Sequence, residues 1–403
     1  MKYIEGGVCA AQGFTAAGIH CGIRKNKAKK DLALIVSEKK AATAGVYTKN
    51  LVKGAPILVT QKNIADGYAR AIIVNSGNAN TCNANGIEIA EGMCALVEKH
   101  SGISKDDVAV ASTGVIGQPL SLDPIAGGMQ ELISSLGKNS DAAANAIMTT
   151  DTVKKEVAME FVLGGKTVRM GGIAKGSGMI HPDMATMLVF VTTDAAISPN
   201  MLQNALSWAI QDTFNMISVD RDTSTNDTML VMANGMAGNE IIDCEGDDFE
   251  TFKAALYELS SCLCRSIAKD GEGASKLLEC TVSGADSKDI ARVVAKSVIC
   301  SPLLKCAMFG SDANWGRVLC AIGYAGAPVD VSKVSVSFAS EAGEIEVCKN
   351  GGGIDFSEEK AKEILSCDEI KILITLGDDD FCATAFGCDL TYDYVKINGD
   401  YRS

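Results

Sequence analysis

The order of strand-like and helix-like segments along this chain predicts an α/β fold built in layers. Apolar runs of strand length, such as Leu32–Val36 and Ala71–Val74, alternate with helical patterns such as Ile87–Lys99. Such alternation favours helices packed on the faces of sheets. The chain has 403 residues, of which 47% are hydrophobic, so it is long enough for two or three domains around large buried cores.

The middle of the chain predicts a β-hairpin followed by another strand. The segments Val157–Leu163 and Thr167–Ala174 flank Gly164 and Gly165, and glycine is favoured in tight hairpin turns. Alternate residues of the first segment are apolar, which predicts that one face is directed toward a core. After a glycine-containing loop, Met187–Val191 has the composition of a short buried strand.

A helix is predicted to begin just after this strand. Ser198 is a favourable N-cap residue, and Pro199 suits the first helical position because its missing N–H would be unsatisfied there anyway. The residues that follow at helical spacing are apolar, and they are Leu202, Leu206, Ala209 and Ile210. This stripe predicts a helix with one buried face.

The pattern restarts near residue 286, which predicts a second domain. A helical segment at Asp289–Val298 is followed by strand-like runs at Lys333–Phe338 and Lys371–Leu376. We therefore predict a larger region at residues 1–285 and a smaller C-terminal α/β domain at residues 286–403.

The charge of the chain argues against nucleic acid and membranes as partners. The formal net charge is −13 and the pI is about 4.8, so the protein repels phosphate backbones and anionic lipid surfaces. No apolar run approaches the roughly 20 residues of a membrane span. Five cations lie within the seven residues 24–30, a cluster compatible with a nucleic-acid contact or a targeting signal. A solvated turn ahead of the next apolar strand is the simpler interpretation.

The fifteen cysteines predict neither a disulfide framework nor a metal site. They are scattered and odd in number, no CxxC pair occurs, and only three histidines are present. Because no apolar signal segment occurs at the N-terminus, we expect reduced cysteines in a cytoplasmic protein, with no metal and no bound cofactor.

One loop offers a nucleophile that needs no histidine. Glycines and a proline in the stretch Ala174–Leu188 form an irregular loop that delivers Thr186 to the start of the predicted strand. A threonine hydroxyl there can attack the carbonyl of Ala185, and hydrolysis of the resulting ester leaves Thr186 as a new N-terminus. Its α-amine, with a reference pKa of about 7.7–8.0, can then serve as the base for its own hydroxyl. Taken alone, the stretch is more simply interpreted as a plain loop that enters a strand.

Seven ordered motifs make the chain resemble the ornithine acetyltransferase family, the self-cleaving glutamate N-acetyltransferases of arginine biosynthesis. The resemblance covers essentially the whole chain. Besides the loop around Thr186, the matching segments are Asn75–Asn80, Ser112–Gly117, Thr149–Thr152, Ser218–Asp227, Asp270–Ala274, Gly310–Arg317 and Lys396–Tyr401. The sequence departs from the family pattern at Arg221, where glycine is usual, and this departure predicts strain in the local turn.

The resemblance implies a role for each matching site residue. Cleavage between Ala185 and Thr186 would give an α chain (1–185) and a β chain (186–403), with Thr186 as the acetyl-accepting nucleophile. Thr113 and Gly114 match the oxyanion site. The substrate-binding residues implied by the family are Thr149, Lys175, Thr186, Glu272, Asn398 and Ser403. Lys175 and Glu272 suit the carboxylate and the ammonium group of an amino-acid substrate. Which end of the substrate each of the two residues contacts is left open.

The resemblance also implies the reaction and the assembly. Region 1–285 would be catalytic and of the N-terminal-nucleophile type, and the C-terminal tail would return to its active site. N2-acetylornithine would acetylate Thr186, and glutamate would then take the acetyl group. Whether acetyl-CoA also serves as an acetyl donor is left open. Two α and two β chains would form a heterotetramer. The alternatives are an N-terminal-nucleophile amidohydrolase or aminopeptidase, in which water replaces glutamate, and an amino-acid-binding protein without catalysis.

Overall fold

The computed structural model describes residues 1–181 and 187–400, which form two β-sheets covered by helices. The strands are β1 (Lys2–Ile4), β2 (Phe14–Ile19), β3 (Leu32–Tyr47), β4 (Tyr68–Asn78), β5 (Val108–Val115), β6 (Lys155–Leu163), β7 (Lys166–Lys175), β8 (Leu188–Thr193), β9 (Ile217–Ser218), β10 (Thr228–Ala233), β11 (Leu277–Gly284), β12 (Ser335–Ser340), β13 (Gly343–Lys349), β14 (Gly352–Gly353), β15 (Glu369–Thr375) and β16 (Asp379–Cys388). The helices are α1 (Ala55–Asn63), α2 (Gly86–Ser101), α3 (Asp123–Ser134), α4 (Ser140–Ile147), α5 (Pro199–Ala209), α6 (Asp247–Lys269), α7 (Lys288–Ile299), α8 (Pro302–Phe309), α9 (Trp315–Gly323), α10 (Glu358–Leu365) and α11 (Tyr392–Gly399).

The first sheet has the strand order β1-β6-β7-β8-β10-β3-β4-β5, and β2 also pairs with β3. The pairs β8/β10 and β4/β5 are parallel, and the other neighbours are antiparallel. Lys175 at the end of β7 therefore lies opposite Leu188 at the start of β8, and Leu188 in turn lies beside Thr228 at the start of β10. These three strand ends meet at the site described below.

The two faces of this sheet are buried under different helices. Along β3, Ala33 and Ile35 belong to the core beneath α4, whereas Leu32 and Leu34 belong to the core beneath α2 and α3. This division follows from the strand period of two, which sends successive side chains to opposite faces. Each fully buried aliphatic side chain contributes about 1.5–3 kcal/mol relative to an exposed one. Burial on both faces therefore fixes the register of β3.

Helix α6 covers the part of the sheet formed by β6–β8. Its apolar residues recur at helical spacing, and the buried ones include Phe249, Phe252, Leu256, Leu259, Leu263 and Ile267. Its first turn carries Asp247, Asp248 and Glu250, and Lys269 lies in its last turn, so both ends complement the helix dipole. The helix ends where Asp270 begins a segment that leads into the site.

The second sheet has the order β14-β13-β12-β15-β11-β16-β9 and packs against α7, α8, α9 and α10 in a core of its own. The α/β architecture predicted from the sequence is confirmed. β11, Leu277–Gly284, precedes residue 286 and belongs to this second sheet, while the boundary between residues 285 and 286 stays a prediction.

The predicted hairpin is confirmed by β6 and β7, which pair in register from Lys155↔Ala174 to Leu163↔Lys166. Gly164 and Gly165 form the turn with φ values of 53° and 75°, a conformation that glycine adopts without strain. The predicted cap of α5 is also present, since the Ser198 hydroxyl accepts from the N–H of Met201.

Two features bear on nucleic acid and membranes as partners: the cation-rich segment and the apolar character of the helices. In the cation-rich segment 24–30, between β2 and β3, Lys25, Lys27 and Lys29 are exposed, as the solvated turn expected from the sequence requires. Arg24 and Lys30 are half-buried and donate to the carbonyls of Met148 and Gly18. Within residues 1–181 and 187–400, none of the helices combines the length and the apolar character that a membrane span requires.

Candidate active site

The ends of β4 and β5 build the first wall of the candidate site. The two strands are parallel, with Gly77 opposite Gly114, and Gly114 has a φ of 131°. A Cβ on Gly114 would lie 2.3 Å from the carbonyl carbon of Gly77, so only glycine fits here. This close approach sets the direction of the Gly114 N–H. Thr113, next to it, is buried with 6% of its surface exposed.

Asn226 ties this wall to the segment that precedes β10. Its Nδ2 donates to the carbonyl oxygens of Ala79 (2.6 Å) and Ser112 (2.9 Å), which follow β4 and belong to β5 respectively. Its Oδ1 accepts from the hydroxyls of Thr81 and Thr225, both at 2.6 Å. All these groups are buried, so each lost bond would leave an unsatisfied polar atom.

A buried ion triad supports the second wall. Lys155 Nζ lies 2.6 Å from Asp151 Oδ1 and 2.6 Å from Asp270 Oδ2, and the side chains of Lys155 and Asp151 are both fully buried. Burial alone would raise the pKa of Asp151, but Lys155 and Lys175 outweigh it and lower this pKa to about 2. Asp151 also accepts from the backbone N–H of Gly176 at 2.7 Å. The triad thus fixes the end of β7, where Lys175 lies.

Lys175 and Asp227 place an amine and a carboxyl group in the same pocket. Desolvation lowers the pKa of Lys175, while Asp151 and Asp227 act in the opposite direction. Asp227 has only 2% of its surface exposed, and burial raises the pKa of its carboxyl well above the usual range despite the nearby Lys175. Its carboxylate oxygen Oδ2 has no hydrogen-bond partner among the described residues.

Glu272 and Asn398 close the site from the other side. Asn398 on α11 donates from Nδ2 to Glu272 Oε2 at 2.7 Å. The backbone N–H of Glu272 donates to the carbonyl of Ser177. A Cβ on Gly178 would lie only 2.3 Å from the carboxyl carbon of Glu272, so glycine at this position permits the close packing. The C-terminal helix therefore contributes directly to the wall of the pocket.

These walls enclose one pocket of about 290 Å³, near the lower end of the range of about 300–1,000 Å³ for small-molecule sites. The residues that line it are Ala79, Thr113, Gly114, Val115, Ile116, Thr149, Thr150, Lys175, Gly178, Met179, Ser224, Thr225, Asn226, Asp227, Glu272 and Asn398. The pocket combines a possible oxyanion donor, a lysine and two carboxyl groups. This set suits a small molecule that carries both a carboxylate and an ammonium group.

Comparison with known proteins identifies the family. The sequence profile of the ArgJ family matches residues 15–403. The chain belongs to the ArgJ family. Arginine biosynthesis bifunctional protein ArgJ 1 of Clostridium acetobutylicum is 52% identical over 97% of this chain and 96% of its own length.

Solved structures of ArgJ relatives match parts of the chain. The Bacillus halodurans arginine biosynthesis bifunctional protein argJ is 46% identical with a TM-score of 0.50, and the match covers 53% of this chain and 98% of that one. The ornithine acetyltransferase of Mycobacterium tuberculosis, solved with ornithine, is 39% identical with a TM-score of 0.42, covering 46% of this chain and 99% of that one. The family match and the curated relatives confirm the resemblance predicted from the motifs.

The structure brings six of the residues predicted from the ArgJ motifs to the one pocket. They are Thr113, Gly114, Thr149, Lys175, Glu272 and Asn398. Thr149 and Thr150 both line the pocket, whereas Thr152 donates to Asp270 instead. Ala185, Thr186 and Ser403 lie outside the described residues. The roles assigned to all of these residues stay predictions.

The histidines and Arg221 lie apart from this pocket. His20 Nδ1 is 2.9 Å from the carbonyl oxygen of Lys29, and His181 Nδ1 is 3.0 Å from Ser218 Oγ. Of the described residues that line the pocket, none is a histidine. Arg221 has a φ of 70°, the left-handed conformation that glycine adopts most easily, as its departure from the family pattern predicted.

Sequence reasoning assigned no role to several polar residues of the site. Four of them lie within the family motifs named above, and this position could have indicated that they belong to the site: Asp151, Asn226, Asp227 and Asp270. Lys155 lies outside those motifs and begins β6, where a polar residue usually marks a strand end. Its complete burial between two carboxylates depends on contacts between segments that are distant in the sequence, so no local pattern predicts it.

Proposed function

We propose that this protein is a glutamate N-acetyltransferase that moves the acetyl group of N2-acetylornithine to glutamate through an acetyl-Thr186 intermediate. The observation that carries the proposal is the convergence of six motif residues on one pocket of amino-acid size. Membership of the ArgJ family and the name of the M. tuberculosis relative support the substrates.

The proposed mechanism begins with cleavage between Ala185 and Thr186. The freed α-amine removes the proton from the Thr186 hydroxyl, which attacks the acetyl carbonyl. The Gly114 N–H and the Thr113 hydroxyl stabilise the oxyanion that forms. Removal of one such donor typically costs about 10²–10³ in rate. Glutamate then attacks the acetyl-enzyme in a second half-reaction with the same geometry.

The charges of the pocket support amino-acid substrates. Lys175 provides the only cation among the described lining residues, and Asp227 and Glu272 provide the carboxyl groups. A carboxylate of the substrate pairs with Lys175, and ammonium groups pair with the acidic side chains. A neutral ligand would leave these buried charges without partners, at a cost that selects against it.

Self-cleavage and assembly are part of the proposal. The matching B. halodurans chain is covered over 98% of its length but spans only 53% of this chain, as a β chain of residues 186–403 would. Two α and two β chains are proposed to assemble in the cytoplasm as a heterotetramer. The word "bifunctional" in the names of the relatives supports acetyl-CoA as an additional donor.

The proposal is tested by following both products in one reaction. Purified protein is incubated with N2-acetylornithine and varied glutamate, and ornithine, N-acetylglutamate and acetate are quantified by mass spectrometry. We expect equimolar ornithine and N-acetylglutamate, with parallel double-reciprocal plots from the ping-pong scheme. Acetate release independent of glutamate would instead identify an amidohydrolase, and binding without turnover would identify a non-catalytic amino-acid-binding protein. A parallel assay with acetyl-CoA tests the second donor.

A further inference from the structure

Asp227 is a buried carboxyl group in the pocket wall with an unused oxygen. It directly precedes β10, and its backbone carbonyl accepts from the N–H of Thr48. Its neighbour Thr228 donates its backbone N–H to the carbonyl of Met187. The side chain therefore lies where β10 begins beside β8, yet Oδ2 has no hydrogen-bond partner within the described part of the chain. A buried, unsatisfied polar atom costs about 1–3 kcal/mol, so such an atom in a native pocket calls for a functional explanation.

The proposed reaction requires a group that gives and takes one proton. N2-acetylornithine enters with an amide nitrogen, but ornithine leaves with an ammonium group in its place. Glutamate enters with an α-ammonium group, which must lose a proton before the nitrogen can attack the acetyl-enzyme. The nitrogen gains two protons on the way from amide to ammonium, and the α-amine of Thr186 can relay only one of them, the proton of its own hydroxyl. A second acid–base group beside the reacting nitrogen would therefore complete the chemistry.

We propose that Asp227 exchanges this proton with the reacting α-nitrogen of ornithine and glutamate; the inference rests on the acetyl-transfer function proposed above. In the first half-reaction the C–N bond of the acetamide breaks and the C–O bond to Thr186 forms. The leaving nitrogen takes one proton from the Asp227 carboxyl and a second proton from the Thr186 hydroxyl, which the α-amine relays. The resulting ammonium pairs with the Asp227 carboxylate until ornithine departs. In the second half-reaction the nitrogen of glutamate gives one proton to Asp227 and a second, through the α-amine, to the Thr186 oxygen. Both groups therefore end the cycle as they began.

The surroundings of Asp227 favour this exchange. Burial holds its pKa well above the usual range, so the carboxyl retains a proton under conditions in which an exposed aspartate is ionised. Lys175 and a hydrogen bond with the Ser224 side chain act in the opposite direction. The charged groups around this lysine are Asp151, Asp227, Lys155 and Glu272. A buried carboxyl with a raised pKa, placed beside a lysine in the wall of a substrate pocket, is an environment typical of a general acid–base catalyst.

The variant Asp227→Asn tests the proposal with two donor–acceptor pairs. The first pair is N2-acetylornithine and glutamate, and the second is p-nitrophenyl acetate and hydroxylamine. The second pair needs no such exchange, because nitrophenolate leaves without a proton and hydroxylamine attacks as a neutral amine. We expect Asp227→Asn to lose about 10²–10⁴ in kcat with the first pair and to stay within a few-fold of wild type with the second. Asp227→Glu should recover part of the loss.

Asp222→Asn is the matched control, because Asp222 is exposed, lies in the same segment and does not line the pocket. It should retain both activities. Equal losses with both substrate pairs in Asp227→Asn would overturn the proposal and assign Asp227 a structural role. Unchanged turnover of the first pair would overturn it as well.

A measurement on the wild-type enzyme decides the matter even if the Asp227 variants do not fold. Single-turnover acetylation rates are compared across pH for N2-acetylornithine and p-nitrophenyl acetate. Both substrates are used at saturation, so that ionisation of Lys175 does not alter the rates through binding of the substrate carboxylate. Ionisation of the Thr186 α-amine affects both rates equally, so their ratio then isolates the acid that protonates the leaving nitrogen. The ratio should fall as pH rises, because the carboxyl loses its proton. A ratio independent of pH would overturn the proposal, whereas failure of wild type to transfer acetyl to glutamate would instead refute the proposed function.

Discussion

Replacement of Gly114 by alanine tests the geometry of the proposed oxyanion site. The new Cβ would lie 2.3 Å from the carbonyl carbon of Gly77 and 2.5 Å from the backbone nitrogen of Asn78. Ordinary carbon contacts are about 3.5–4.0 Å, so the ends of β4 and β5 must separate by roughly 1 Å. A φ of 131° adds backbone strain of about 1–3 kcal/mol, and the forced contact adds about another 1–3 kcal/mol.

The expected result is a loss of both stability and rate. Displacement of the Gly114 N–H should lower kcat by about 10²–10³, and the total strain should lower the free energy of unfolding by roughly 2–6 kcal/mol. Gly117→Ala is the control, because Gly117 has a φ of 77° but no atom lies within 4 Å of the position that its Cβ would take. It should cost only about 1–2 kcal/mol of strain and leave kcat near wild type. Urea unfolding and steady-state kinetics measure both quantities, and equal effects of the two substitutions would refute the reasoning.

Three further predictions concern the oxyanion donor and the buried triad. Thr113→Ala should lower kcat by about 10² with little change in KM, since the donor acts mainly in the transition state, and a pure KM effect would make Thr113 a substrate-binding residue. Lys155→Met should cost about 3–5 kcal/mol in urea unfolding, because it leaves Asp151 and Asp270 buried without their cation. Lys2→Met, at an exposed ion pair, should cost no more than about 1 kcal/mol. Because the pKa of Asp151 is lowered to about 2, its contribution of roughly 2–3 kcal/mol is present above pH ~4 and lost as pH falls toward 2. Acid titration of stability should show a larger loss in wild type than in Lys155→Met, in which Lys175 alone remains as the neighbouring cation.

The sequence predicted elements whose patterns are local. The hairpin of β6 and β7 follows from alternating apolar residues and two glycines, and α5 follows from Ser198, Pro199 and an apolar stripe. By contrast, the strand predicted at Leu32–Val36 is longer in the structure, because β3 continues to Tyr47. Glu38, Lys39 and Lys40 are exposed at an irregularity in the pairing with β4, and beyond them residues 42–47 pair with β10.

The site residues that belong to sequence motifs could be predicted, whereas contacts between segments that are distant in the sequence could not. Gly114 and Glu272 were named from their motifs, and the structure places both in the pocket. No local pattern indicates that Lys155 lies between Asp151 and Asp270, because the pairing with Asp270 spans 115 positions in the chain. The unsatisfied oxygen of Asp227 is likewise visible only when the surrounding strands are assembled.

Self-cleavage at Thr186 is the central claim, and the fragments of the purified protein test it most directly. The variant Thr186→Ala should remain a single inactive chain, because the same hydroxyl is proposed to perform cleavage and acetyl transfer. For wild type, intact-mass measurement with N-terminal sequencing should find fragments of 185 and 218 residues, the second beginning with Thr186. An intact chain of 403 residues with full transferase activity, or a second fragment that begins elsewhere, would contradict the account.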